Sequence, residues 1–321
     1  MKRIYLEPKA SHRTNLRSDT LFGCLCWGIR EVYSEAQLVG MLEGFASGEP
    51  PFRISSAFPY RNHEGQRTSF FPRPLLRPAR LPNVLDRKEA RRQKDFRKHR
   101  WMAEDTFRKF VSGGLNEIDY YGSGVWEAVA PSVVEEEVLH NAIDRLAGGT
   151  GRAGTLFSQT ERYIPEGGLF FLLDGDAAGV VEGALGFLAH VGLGGDSSLG
   201  KGCFNISVED LAPFDVPESA DRFVTLSLYA PGDRESVAFR EGEAWYELTV
   251  RKGKVGGPFL RVDDFWKRSV TMFTEGSTFP LLDGVRSYGR NPIVKGPEDG
   301  VPFRVQHYGF AFHIPMQTEA G

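Results

Sequence analysis

Along the chain the spacing of apolar positions switches repeatedly between the period of a strand and that of a helix, and the order of the switches predicts an architecture. Residues 2–7 read as a strand. Ser18 and Asp19 suit a helix N-terminus, after which Leu21, Leu25, Gly28, Ile29 and Val32 share one helical face. Ser34-Glu35-Ala36-Gln37 has the capping-box pattern ahead of a second short helix, with Leu38, Met41, Leu42 and Phe45 inward and Gly48 and Pro50-Pro51 as its stop. Residues 52–58 predict a strand, 169–173 a buried strand, 177–191 an amphipathic helix and 203–208 a further strand.

Between residues 59 and 165 this regularity breaks down. Pro72, Pro74, Pro78 and Pro82 predict an extended surface run over 69–82. Residues 86–109 carry ten basic and five acidic side chains with Phe96, Trp101 and Phe107 interleaved, which suits a basic helical segment packed on one side. Its charge fits a solvated helix as well as it fits RNA. Residues 125–138 look like strand and 156–164 alternate again, while Gly148-Gly149-Thr150-Gly151-Arg152 cannot be helix. Two strands joined by an irregular tip bearing Arg145, Arg152 and Arg162 follow from this. Without the insertion, the first 210 residues read β-α-β-β-α-β, the ferredoxin-like order. A mainly β second half begins near Arg222. Strands are expected at 224–228, 245–250, 269–274 and 303–314, and only 263–267 hints at helix.

Five of the eleven residues from 192 to 202 are glycine, between the predicted helix and strand. Such a loop can adopt positive φ and approach a ligand closely, with backbone N–H groups, Ser197, Ser198 and Lys201 available for anionic oxygens. It is one residue away from a nucleotide P-loop pattern, but Gly202 stands where Ser or Thr should reach magnesium. The order helix, loop, strand is also the reverse of what that motif needs.

Net charge adds an asymmetry. Residues 1–109 carry +10 and residues 110–321 carry −13, so one region suits nucleic acid and the other a different partner. Cys24, Cys26 and Cys203 form neither a zinc pattern nor a disulfide framework. With no membrane-spanning run and no signal peptide pattern, a cytoplasmic chain is expected. Asp174-Gly175-Asp176 and Asp263-Asp264 read as helix-start carboxylates, and no metal or cofactor is expected.

Five blocks in order, Ser18-Asp19-Thr20-Leu21-Phe22-Gly23, Ser55-Ser56-Ala57-Phe58-Pro59-Tyr60, Phe71-Pro72-Arg73-Pro74, Asn141-Ala142-Ile143-Asp144-Arg145 and the glycine loop, resemble one family. It is the RAMP subunit of type III-A (Csm) CRISPR complexes that holds the 5′ end of the crRNA. The resemblance implies an α+β fold of two ferredoxin-like domains. Residues 1–212 would form the first, with the basic insertion and a projecting thumb hairpin at 60–165, and residues 213–321 the second. It implies a non-catalytic subunit that binds the repeat-derived 5′ tag, caps the backbone RAMP subunits and binds the large polymerase-like subunit. Its thumb disrupts the guide–target duplex near the tag.

On this sequence Gly194, Gly195, Ser197, Ser198, Gly200 and Lys201 are the candidate tag-phosphate ligands. Arg53, Asn141 and Arg145 are the candidate base readers, because Arg and Asn can hydrogen-bond unstacked bases. Arg152, Thr155, Leu156, Phe157 and Arg162 are the candidate thumb residues. Two other classes compete: a RAMP endoribonuclease that processes precursor crRNA, with His12 or His140 in acid–base roles, and a protein scaffold with little RNA contact.

Overall fold

The computed structural model describes residues 1–81, 86–128, 131, 133–141, 149, 156–256 and 265–318. Its centre is an antiparallel sheet. Strand β1 is Lys2–Pro8, followed by helices α1, Ser18–Val32, and α2, Glu35–Ser47. The chain then makes β2, Arg53–Ile54, β3, Phe58–His63, and β4, Gln66–Pro72. The insertion holds α3, Arg87–Lys98, β5, Trp101–Ala103, α4, Glu104–Val111, and α5, Glu117–Ser123. Next come β6, Val134–Asn141, β7, Leu156–Tyr163, β8, Gly167–Asp174, α6, Ala178–Val191, and β9, Phe204–Asp210. The large sheet has the order β5-β4-β3-β8-β1-β9, with β2 on the far end of β8, and β6 pairs with β7 as a separate hairpin.

Strand β8 explains the architecture. Alternate residues of a strand face opposite sides of a sheet, and all of Leu169 to Leu173 are apolar and buried, so both faces must be covered. Leu169, Phe171 and Leu173 join Ile4 and Leu6 under α1, α2 and α6. Phe170 and Leu172 join Tyr5, Phe58 and Phe71 under Phe96, Phe107 and Tyr120 of the insertion. That second core also takes in Val224, Leu226, Phe312 and Ile314, so it runs into the second half of the chain.

The second half comprises β10, Arg222–Thr225, α7, Asp233–Glu241, β11, Leu248–Arg251, and β12, Val270–Phe273. It continues with β13, Thr278–Pro280, β14, Ile293–Lys295, β15, Val305–Gln306, and β16, His313–Met316. Its three-stranded sheet runs β13-β10-β16, beside the pairs β11-β12 and β14-β15. Asp19 joins the two halves from the first turn of α1. Its side chain is 6% exposed, 2.7 Å from Arg251 Nε and 3.2 Å from His307 Nε2. Burial pushes the carboxyl upward, but His307 and Arg251 hold it well below the usual carboxylate range.

Several expectations need correcting. The run 69–82 is extended at its start but not on the surface: Ser69 to Pro72 end β4 and are buried, where β3 and β4 form a hairpin across Glu64-Gly65, both at positive φ. The basic segment 86–109 is two helices separated by β5. Residues 125–128 form a 3-10 turn, and the strand expected there starts only at Val134. Helix α7 was missed, and Trp266 lies in a β-bridge with Lys254, not in a helix. Val32, expected inward, is 42% exposed in the last turn of α1. On β11 and the residue pair before it, Tyr246, Leu248 and Val250 face solvent.

Removing one partner from a buried ion pair leaves the other uncompensated. Asp19→Ala is therefore expected to cost about 3–5 kcal/mol in a urea unfolding titration. Glu31→Ala, which breaks the surface pair with Arg30, is expected to stay within about 1 kcal/mol. Equal, small losses in both would mean that Asp19 does not join the halves.

Candidate nucleic-acid interface

The glycine loop leaves α6 at Gly192 and enters β9 through Gly202, in the order helix, loop, strand. Gly192, Gly194, Gly200 and Gly202 have positive φ. The close approach that these glycines permit is to the protein's own chain. A Cβ on Gly202 would sit 2.1 Å from the Leu193 carbonyl oxygen, and one on Gly195 would sit 2.9 Å from Thr14 Oγ1. Gly195 N–H donates to Thr14 Oγ1 at 2.8 Å and Gly202 N–H to the Ser11 carbonyl at 3.0 Å, while Arg13 pairs with Asp196 at 2.7 Å. The loop thus lies along residues 11–16. Ser197 is half-buried, and Ser198, Leu199 and Gly200 stay on the surface.

Lys201 does not point to solvent. Its Nζ donates to Glu161 Oε2 at 2.7 Å and to Ser11 Oγ at 2.9 Å. Ser11 Oγ also donates to Glu161 at 2.5 Å, and Tyr163 OH donates to it at 3.0 Å. Glu161 is 3% exposed. The hydrogen bond from Lys201, then that from Ser11, holds its carboxyl down to about 2. Glu161 lies on β7, so this cluster joins the glycine loop, the segment after β1 and the hairpin. The sequence placed Lys201 on a tag phosphate; the fold gives it a carboxylate.

The hairpin is anchored next to that cluster. His12 and Arg162 exchange backbone hydrogen bonds at 3.1 and 2.9 Å. The Arg162 guanidinium donates to Glu135 at 2.8 Å and to the Arg13 carbonyl at 2.8 Å, at the base of the hairpin and not at its tip. From the pair Val134–Tyr163 the ladder runs out to Asn141–Leu156, about 25 Å. One face carries Glu161 and Tyr163 inward. Near the far end Leu139, Leu156 and Phe157 are 68%, 62% and 45% exposed, and His140 stacks on Phe157 with ring centroids 5.6 Å apart. Arg145, Arg152 and Thr155 lie outside the described residues.

Of the candidate base readers, Arg145 lies outside the described residues, and Arg53 and Asn141 are not brought together. Arg53 pairs with Asp174 at 2.7 Å and contacts His313 at 3.2 Å, at the end of β8 opposite the loop. That is about 20 Å along the sheet. Asn141 is exposed at the outer end of β6.

A groove with a volume of about 600 Å³ lies between the halves, at the base of the hairpin. Its walls include Arg17, Ser56, Arg73, Trp101, Arg162 and Glu275, together with His12 and Asn15 from the segment that the glycine loop lies along. Here the strand expected over 52–58 breaks. Ser56 N–H leaves β8 for the Leu226 carbonyl at 2.9 Å, and Ala57 N–H goes to the Leu16 carbonyl at 2.8 Å. Ser56 Oγ accepts from Ser18 N–H at 2.9 Å and donates to Glu275, which also receives Arg17. Arg73 pairs with Glu117, Arg100 with Glu247. Two of the motif blocks therefore meet in one groove. Sequence reasoning missed Ser11, Thr14, Glu161 and Glu275; only the basic run before α1 and the alternation of 156–164 hinted at the first three.

His12, one acid–base candidate, is 4% exposed, and burial with the nearby Arg162 lowers it to about 4, so it is neutral at pH 7. His140 lies 3.7 Å from Glu161. Among the described residues no group of three or more His, Cys, Asp or Glu could hold a metal, and no helix is long and apolar enough to cross a membrane.

No protein-family profile matches the chain. It is 26% identical over 325 residues to the CRISPR system Cms protein Csm4 of Thermococcus onnurineus (strain NA1), covering 99% of this chain and 97% of that one. The chain is similar to Csm4 along its whole length. Two solved structures share its fold. One is a crystal structure of a Csm1–Csm4 cassette in complex with pppApA, with TM-score 0.63 and 20% identity over 100% of this chain and 99% of that one. The other is a Csm3–Csm4 subcomplex in the type III-A CRISPR-Cas interference complex, with TM-score 0.61 and 14% identity over 99% and 100%. The family resemblance read from the five blocks holds, and the likeness extends through the insertion and the second half as well.

The cluster predicts its own test. Glu161 ionises below its ordinary range, so its contribution is complete above about pH 4.5 and is lost as the pH falls toward 2. Lys201→Met leaves Glu161 buried and uncompensated. Exchange of the β7 amides at pH 7 is expected to speed up about ten- to a hundredfold, from roughly 1.5–3 kcal/mol per charged hydrogen bond. The double variant Glu161→Gln/Lys201→Met is expected to be milder than Lys201→Met alone, since it orphans no charge. Unchanged β7 exchange in both variants would show that the cluster does not anchor the hairpin.

Proposed function

We propose that this chain is a non-catalytic subunit of a type III-A CRISPR effector complex that binds the 5′ repeat-derived tag of crRNA. In this reading it also caps the backbone RAMP subunits and docks the large polymerase-like subunit, in the cytoplasm. The observation that carries the proposal is the end-to-end match to Csm4. Csm1 and Csm3 accompany Csm4 in the solved relatives, and proteins of those two kinds are the partners proposed here. Both halves are read as ferredoxin-like; the order β3-β8-β1-β9, with α1 and α6 together on one face, supports this for the first.

The tag is proposed to run along the groove and past the rim of the glycine loop. Ser198 and the Gly200 backbone are the exposed groups for phosphate there, while Gly194 and Gly195 hold the loop against Thr14 and Ser197 packs beside Gly192. Lys201 acts through Glu161 as a positioning residue for the hairpin. The β6–β7 hairpin is proposed as the thumb that meets target RNA near the tag, with Leu156 and Phe157 exposed toward its outer end. The burial of His12, which keeps its ring from reaching a 2′-OH, supports a binding role over endoribonuclease chemistry.

The test is retention and cleavage of a tag-bearing crRNA by the purified chain, with magnesium and with EDTA. Retention of intact RNA in both conditions, weakened by base substitutions in the tag, is expected. Cleavage would indicate the processing enzyme, and absence of retention would indicate a scaffold.

A further inference from the structure

Helix α3 is the part of the basic insertion that the tag-binding reading leaves unused. Gln93 and Phe96 are buried, and Phe96 packs on Tyr121 and Trp126 with centroids 5.0 and 5.1 Å away. On the opposite side Arg87, Arg91, Lys94 and Lys98 fall at i, i+4, i+7 and i+11, all exposed. They make one stripe about 16 Å long, flanked by exposed Lys88 and Arg97. The acids of this helix do little to neutralise it. Asp95 lies 3.9 Å from Arg91 with both side chains mostly solvated, and Glu89 is turned toward Tyr121 and Arg92.

Two features separate this stripe from an ordinary solvated helix face. Basic residues in a first turn oppose the helix dipole, yet Arg87 and Lys88 open the helix, offset by the Asp86 cap, which accepts from Glu89 N–H at 2.9 Å. The stripe also contains no large apolar side chain. Protein–protein interfaces have an apolar core and are depleted in Lys, whereas phosphate contacts need only Arg and Lys.

The C-terminal end of α3 borders the groove. Arg73, on the groove wall, donates to the Phe96 carbonyl of α3 at 2.8 Å, and Arg100, two residues past the helix, lines the same groove. We propose that the outer face of α3, through Arg87, Arg91, Lys94 and Lys98, is a second RNA-binding surface that grips the sugar–phosphate backbone irrespective of sequence. It goes beyond tag recognition, because no tag base is needed for it.

The test is fluorescence anisotropy of the full chain with a 20-nucleotide oligouridylate that has no tag, titrated at several salt concentrations. It is compared with the variant Arg87→Gln/Arg91→Gln/Lys94→Gln/Lys98→Gln. Glutamine keeps helix propensity close to that of Lys and Arg, and an unchanged circular dichroism melt confirms folding. Each phosphate contact contributes about 0.7 to the log–log salt slope on a single strand, so the variant should lose about 2–3 of slope and bind about a hundredfold more weakly near 0.1 M salt. Its discrimination between native and base-substituted tags should be unchanged, which keeps this result separate from the fate of the tag proposal. An unchanged slope, or a wild-type chain without measurable affinity for oligouridylate, would overturn the inference. So would a variant that loses only binding to polyglutamate, which would assign the face to an acidic protein.

Discussion

A buried carboxylate must be compensated or it will not stay ionised, and in this protein Glu161 is where that constraint organises the surface. Ser11, Tyr163 and Lys201 all donate to it, each from a different part of the chain or from the neighbouring strand position. Satisfying one side chain therefore fixes the glycine loop, the segment between β1 and α1, and the base of the hairpin relative to each other. An extended two-stranded arm is marginal on its own. Here it is held by a backbone bridge to His12 and by a charge-assisted cluster, so its direction is set by the body of the molecule.

The body is itself organised by one strand. Because β8 is apolar on both faces, it needs helices α1, α2 and α6 on one side and the insertion helices on the other. The insertion is thereby a structural layer, and its basic outer helix is presented on a rigid support. The strands of the second half complete that layer, and the Asp19 contacts close the joint. The groove between the halves follows from this closure, with Ser56 at the point where the chain turns from one sheet to the other.

Much of this was legible in the sequence. The strands at both ends of the first half, helices α1, α2 and α6 and the pairing of β6 with β7 follow from periodicity and caps, and the resemblance to the Csm4 family from the ordered motif blocks. What sequence could not show was which charges meet across long separations. Lys201 looked like a phosphate ligand because the glycines around it promise a close approach; that approach is made to Thr14 and Ser11, some 180 to 190 positions away. Arg162 looked like a tip residue, but its register places it at the base. Helix α7 was missed because Gly232, with no side chain, is its N-cap, so only the acids of its first turn marked the start. Tyr246, Leu248 and Val250 alternate as a buried strand would, yet their burial depends on neighbours that periodicity alone does not reveal.

In the proposed function, the groove and the glycine-loop rim hold the crRNA tag. The most direct measurement is photo-crosslinking of the assembled effector complex carrying a crRNA with 4-thiouridine in its 5′ tag, followed by mapping of the modified peptides. Adducts on this chain within residues 11–17, 55–60, 71–74 or 197–201 are predicted. Tag adducts confined to other subunits, or found on this chain only at the distant Arg53 end of the sheet, would contradict it.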